Sequence, residues 1–407
     1  MADNLSTTCL IAGGGPAGMM CGYLLARAGI DVIVLEKHAD FLRDFRGDTI
    51  HPSTLEALSE LGLIEEFLAR PHQEVTRLKV EIGGREFSVA DFSHLPTRCK
   101  FIALMPQWDF LNFLAEKAKA LSAFRLMMQA EASGPMRAGE RVSGLVVRTP
   151  QGERRIEAKL TIGADGRHSV LREHSGLRVR DLGAPIDVLW LRLPHKPGDP
   201  SDPVARMAAG QFFIMLYRGD YWQCALVIAK GGFEEIRRTG LDAFRDRLRM
   251  IAGFAADRMD AIASFDDVKL LTVAVNRLEE WALPGLLFIG DAAHAMSPVG
   301  GVGVNLAVQD AIAAANILCP VLAAGPPSLD DLRKVQRRRE FPTRLTQAAQ
   351  VAVQNRVLAP ILASRRAMQP PFFLKLLQAW PFLRRIPARM VGMGVRPEHV
   401  KTPAFTN

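Results

Sequence analysis

Gly13, Gly15 and Gly18 stand in the spacing G-x-G-x-x-G, between an apolar run at 9–12 and a helical pattern carrying Met19, Tyr23, Leu24 and Ala28. A second apolar run, 32–35, ends at Glu36. Strand, tight turn, helix, strand and acid in this order suit a dinucleotide. Gly13 permits the turn, and Gly15 lets a pyrophosphate approach the backbone at the helix N-terminus. Gly18 allows close helix–strand packing, and Glu36 can accept from a ribose hydroxyl. The competing reading is a turn that needs glycine for backbone reasons alone. The agreement of all four flanking features favours the dinucleotide.

Two further stretches have chemistry-bearing residues at strand ends. Gly163-Ala164-Asp165-Gly166 follows an apolar strand and precedes a helical pattern. Gly290-Asp291 closes the short apolar run 286–289 and leads through His294 and Pro298 into Gly300-Gly301-Val302-Gly303-Val304-Asn305. A carboxylate at Asp291 can accept from a polyol chain. The backbone N–H groups from Gly300 to Asn305, at a helix start, suit an electron-rich ring edge or a developing anion. His294 reads as a structural hydrogen-bonding histidine, and His51, His168 and His174 as surface or capping residues. No His-x-x-x-His or mixed Cys/His spacing suggests a metal.

The elements that must position these groups follow from periodicity. Helices are expected at 53–61, from 107 with Phe110, Leu111, Leu114 and Ala118 buried, and at 233–250, 303–318 and 329–353. Hairpins are expected at 75–92, turning at Gly83-Gly84, and at 141–162, turning at Gln151-Gly152. Residues 125–130 and 268–275 read as single strands. The runs 188–193, 212–217 and 221–228 form a separate sheet carrying Phe212, Phe213, Met215, Tyr217, Tyr221 and Trp222, which line a pocket or pack a core. Tyr217 or Arg218 is a candidate for deprotonating or holding a phenol.

The 407 residues suffice for more than one core. The five cysteines are scattered, which suits a reducing cytosol. The polar start leaves no room for a signal peptide, and no uninterrupted apolar run reaches about 18 residues. The expected location is cytoplasmic. Net charge is +8, but residues 331–407 hold 15 Lys/Arg against 3 Asp/Glu, leaving 36 against 40 elsewhere. The basic character belongs to the tail, so a nucleic-acid partner is not expected.

Together the three boxes resemble the class A flavoprotein monooxygenases, the family of para-hydroxybenzoate hydroxylase and the ubiquinone-biosynthesis hydroxylases. The resemblance covers roughly residues 5–320, and the second and third boxes are its specific part. It implies an α/β fold: a Rossmann-like FAD-binding domain, an inserted β-sheet substrate domain and a helical C-terminal region. The implied boundaries are 1–75, 100–182 and 268–330 for the discontinuous flavin domain, 76–99 and 183–267 for the substrate domain, and 331–407 for the basic helical region. It also implies that Gly13, Gly15, Pro16, Ala17, Gly18, Glu36 and Lys37 hold the ADP half of a non-covalent FAD. Arg46 and Gln107 would reach its ribose and pyrophosphate, against the alternatives of a solvated loop charge and a helix cap. Ala132 would meet adenine through its backbone, Asp165 would serve both FAD and the nicotinamide cofactor, and Asp291 would hold the ribityl chain. Pro298, Gly300, Gly301, Val302, Gly303, Val304 and Asn305 would line the isoalloxazine.

The implied reaction uses NADPH or NADH to reduce FAD and O₂ to form a C4a-hydroperoxide that hydroxylates an aromatic small molecule, phenolic or polyketide- or quinone-like. The difficult chemistry is the cofactor's. No catalytic side chain is assigned. A flavin reductase that does not insert oxygen is the alternative, and a non-turning-over FAD scaffold ranks below both. The halogenase motif W-x-W-x-I-P is absent. The segment 370–391 mixes aromatic and basic residues, compatible with membrane-surface contact, homodimerisation or packing over the flavin domain. Packing or dimerisation is favoured.

Overall fold

The computed structural model describes residues 5–42, 49–364 and 369–404. Leu286–Phe288, Gly152–Gly163, Leu5–Ala12, Val32–Glu36 and Phe124–Met128 lie side by side and parallel, with Ala282–Leu283 antiparallel at one edge. Val32–Glu36 is buried throughout, as a central parallel strand requires. Register decides what these strands deliver. Ala12 sits opposite both Leu35 and Gly163, and Gly163 sits opposite Phe288. The three boxes therefore leave the sheet together at its carboxyl edge.

The helix Pro16–Arg27 is buried on nearly every side from Ala17 to Ala26, not along one stripe. It is packed between Gln107–Lys119 and Gly303–Ala324. The latter helix has the length and hydropathy of a membrane span but is mostly buried inside the protein. Leu329–Val353 starts at a capping box, where Ser328 accepts from the Asp331 backbone and Asp331 accepts from that of Ser328.

The second sheet has the order Lys269–Leu271, Ile186–Pro194, Tyr221–Ala229, Gln211–Tyr217, Val204–Ala208, Arg77–Ile82, Arg85–Asp91. The hairpin expected at 75–92 joins it through parallel pairing of Arg206 with Glu81. Several elements differ from expectation. Glu131–Ala138 is a strand whose Gly134 and Pro135 hide its alternation, and Val204–Ala208 is a short strand that was also unexpected. The helix at 233–250 is two, Phe233–Thr239 and Leu241–Ala252, broken at Gly240, whose φ of +93° is not helical. The strand at 268–275 contracts to Lys269–Leu271, since the Val273 amide donates to Asp187 Oδ1 (2.9 Å) and not to a neighbouring strand.

The two faces of this sheet have different fates. Phe213, Met215, Trp222, Cys224 and Leu226 pack beneath the helices Phe233–Thr239 and Leu241–Ala252. Phe212, Ile214, Val188, Trp190 and Val227 point the other way and pack with Val299, Leu358 and Leu362. Strand alternation thus divides the aromatic cluster. Tyr217 belongs to the helix-covered side, its ring 4.7 Å from that of His195 and 5.6 Å from that of Trp222.

Candidate active site

The first turn is built by collisions that only glycine avoids. Gly13 has φ +108°, and a Cβ there would lie 2.3 Å from the Ala164 carbonyl oxygen. A Cβ on Gly18 would lie 1.9 Å from the Gly13 oxygen. Gly15 is different: a Cβ there meets nothing within 4 Å. The helix it precedes has Pro16 in its first turn, no side-chain cap and no acidic first-turn residue. Its amide N–H groups face an open cradle, which fits a phosphate group. Glu36 lies against this turn, with Oε2 accepting from Gly14 (3.2 Å) and Oε1 from His38 (3.0 Å). Lys37, beside it, is exposed.

Ala164 docks onto the first strand, its amide donating to the Ala12 oxygen at 2.8 Å. Asp165 follows. Its Oδ2 accepts from Leu171 at 3.4 Å, whereas Oδ1 is buried without a hydrogen-bond partner among the described residues. Burial pushes this carboxyl above its ordinary value, against hydrogen bonds from Ser169 and Leu171. A buried acceptor with spare capacity fits a polar ligand at this edge.

Gly290 has φ +61°, and a Cβ there would be 3.0 Å from that of Ala17, so the third box rests on the first helix. Asp291 is half-exposed in the turn Gly290–Ala292, its Oδ2 3.5 Å from Arg167. Arg172 donates to the Ala292 oxygen (3.2 Å), tying the second box to the third. Beneath this turn lies Asp310, in the stretch Gln309-Asp310-Ala311 to which the third box continues. Asp310 Oδ2 accepts from the Gly290 amide (3.0 Å) and from His294 Nε2 (2.6 Å), and Oδ1 accepts from Arg339 Nε (2.9 Å). Arg339 is 2% exposed and also reaches Glu398 (3.4 Å). Burial would raise the Asp310 carboxyl, but His294 and Arg339 outweigh it and hold the group below its ordinary value. The third box itself contains Asp310, but its partner Arg339 lies on another helix, outside the box.

The loop before Gly303–Ala324 turns on two left-handed glycines, Gly300 (φ +79°) and Gly301 (φ +64°). A Cβ on Gly303 meets nothing within 4 Å, and its helix begins without a side-chain cap. Val302, Val304 and Asn305 have buried side chains. Val302 packs with Met296 and Leu306, and Asn305 Oδ1 accepts from Ser53 (2.6 Å) and Thr54 (2.8 Å). What this loop offers outward is therefore backbone and Pro298, not those three side chains. The Gly301 oxygen accepts from Thr49 Oγ1 (2.9 Å).

Gln107 opens its helix half-buried, and that helix has no side-chain cap. Ala132 follows the strand Phe124–Met128 and lies inside the next one, Glu131–Ala138, opposite Val147. Arg46 lies outside the described residues. His168 and His174 are exposed.

His51 is no surface residue. It is fully buried, with Nδ1 2.9 Å from the Val391 oxygen and Nε2 3.1 Å from the Gly301 oxygen. Burial pushes its imidazole from 6.5 down to about 4, against the raising effect of the two carbonyl contacts. Between those values the unfolded chain binds a proton that the native chain refuses. Stability therefore rises with pH through this window and is complete above its upper end. The expected loss on acidification from pH 7 to pH 4 is about 3 kcal/mol from this group. Urea midpoints across that range should show a flatter pH dependence for His51→Gln than for the wild type. Equal slopes would remove His51 as the source.

A sequence profile described as an FAD binding domain matches residues 6–349. The 6-methylpretetramide 4-monooxygenase of Streptomyces rimosus is 30% identical over 99% of this chain and 96% of that protein. The rifampicin monooxygenase of Streptomyces venezuelae is 29% identical over 74% of this chain and 62% of that protein. In fold, the chain resembles the p-nitrophenol 4-monooxygenase of Pseudomonas putida, with TM-score 0.77, 18% identity and coverage of 94% of this chain and 97% of that one.

Proposed function

The chain belongs to the FAD-binding domain family of aromatic monooxygenases, and from that membership we propose that it hydroxylates a fused-ring phenolic or quinone-like polyketide between its two sheets. It is an FAD-dependent monooxygenase that uses NAD(P)H and O₂. The observation that carries the substrate reading is the apolar cluster shared by Phe212, Ile214 and Trp190 of the second sheet and Val299, which precedes Gly300 and Gly301. Its apolar, aromatic lining suits a flat aromatic substrate. The full-length similarity to a monooxygenase whose name specifies 6-methylpretetramide supports the same class. We assign residues 1–75, 100–182 and 272–330 to the flavin domain and 76–99 and 183–271 to the substrate domain. The boundary expected at 268 moves because Lys269–Leu271 pairs with Ile186–Pro194 of the second sheet. We assign the cytoplasm as the site of action.

Bound FAD, once reduced, supplies the oxygen activation. The protein's part is binding, orientation and exclusion of water. The amides after Gly15 would hold the pyrophosphate, and Glu36 would accept from the adenosine ribose. Asp165 and Asp291 would accept from hydroxyl groups at the carboxyl edge. The open helix start at Gly303 would offer N–H groups to an electron-rich ring edge. Phe212, Ile214, Trp190 and Val299 keep the reacting region dry.

The test is rapid mixing of anaerobically reduced holoenzyme with ¹⁸O₂ and a panel of fused-ring phenols. One labelled oxygen in product is expected, whereas reoxidation without oxygenated product for any member would overturn the substrate class. Face assignment predicts more. Ile214→Trp should lower kcat/KM about tenfold or more by filling the seam. Tyr217→Phe, on the helix-covered face, should leave it within about twofold.

A further inference from the structure

We propose that the surface formed by the helices Phe372–Ala379 and Arg385–Gly392 docks on an anionic lipid surface. Both helices are anchored from beneath. Leu374 is buried against Val80, Ile82 and Phe87 of the hairpin. Ala388 is fully buried, and Gly392 is so close that a Cβ would lie 2.8 Å from Leu95. Arg384 donates to the Leu377 oxygen at 2.9 Å and locks the connection between them.

The outer faces are left bare. Phe372 is 78% exposed, Phe382 and Ile386 are 60% exposed, and Trp380 is 53% exposed. Large apolar side chains gathered on one surface mark an interaction site. Lys375, Arg385 and Arg389 are exposed among them, and none has a carboxylate partner among the described residues.

Charge selects the occupant. From Phe341 to Pro397 the sequence has nine Lys/Arg and no Asp or Glu. A second copy seated face to face would set this cationic patch against itself. An anionic headgroup layer meets the cations, while the aromatic side chains enter the interface beneath it.

The inner side of the same surface reaches the loop of the third box. The Val391 oxygen is the partner of His51, and a Cβ on Gly300 would lie 3.7 Å from Val391 Cγ2. A docked enzyme would thus hold its reaction seam next to a lipid phase in which a fused-ring substrate dissolves. This delivery role rests on the substrate reading above; the docking does not.

Flotation of the full-length holoprotein with phosphatidylcholine vesicles, with and without phosphatidylserine, tests the docking at low and high salt. Binding is expected only with phosphatidylserine, and it should weaken with salt. Arg385→Glu/Arg389→Glu should weaken it by at least about twentyfold, from roughly fivefold per basic residue near an anionic surface. Phe382→Ser/Ile386→Ser should weaken it without changing the salt dependence. Bound flavin and melting temperature, measured for each variant, report folding independently of vesicle binding. Failure of the wild type to float, equal binding by the charge-reversed variant, or a concentration-dependent dimer abolished by these substitutions would each overturn the proposal.

Discussion

Asp310→Ala is expected to lower stability by about 3–5 kcal/mol and to release the flavin. Both oxygens of Asp310 are engaged in the interior, one by Arg339 and the other by His294 and the Gly290 amide. Removing the carboxylate leaves a buried guanidinium with Glu398, 3.4 Å away, as its one remaining ion-pair partner among the described residues. It also orphans the amide that fixes the turn carrying Asp291. Stability and positioning can be separated. Asp310→Leu with Arg339→Met removes the charges together, and much of the lost stability should return. Flavin affinity should not return, since Gly290 still has no acceptor. Urea midpoints and flavin retained after gel filtration measure the two effects. A loss below about 1 kcal/mol for Asp310→Ala would refute the account of this network.

The second large effect is a contrast between two glycines three residues apart. Gly18→Ala drives a methyl to 1.9 Å from the Gly13 backbone oxygen. Backbone there cannot yield without moving the helix off the sheet, so a loss of about 3 kcal/mol or more is expected even without cofactor. Gly15→Val behaves otherwise. Its position has an ordinary φ of −75° and no atom within 4 Å of a Cβ. The apo-protein should melt within about 0.5 kcal/mol of wild type. FAD affinity should fall at least about a hundredfold, because the valine fills the cradle the amides face. Fluorescence titration of apo-protein with FAD, beside its melting curve, decides this. Wild-type affinity for Gly15→Val would show that no phosphate sits there.

Cofactor class and the three boxes were readable from the chain because each is local. A glycine spacing, a strand end and a helix start lie within a few residues of one another, and short-range sterics dictate their form. The helix Leu329–Val353 was readable for the same reason, given its cap and period. The strand Glu131–Ala138 was not, since glycine and proline interrupt the pattern that would announce it. Nor could the chain alone say which members of the aromatic cluster face the flavin loop. Alternation assigns them to two faces, but only the layers packed above and below decide that Phe212 shares a cluster with Val299 while Tyr217 meets His195. His51 and Gly301 lie 250 residues apart, and Asp310 and Arg339 lie on different helices. Their meeting depends on the parallel register that gathers the boxes at one edge and on the stacking of helices behind it. Local spacing determined which groups can bind the cofactor, and long-range packing decided which buried charges and backbone acceptors hold those groups in place.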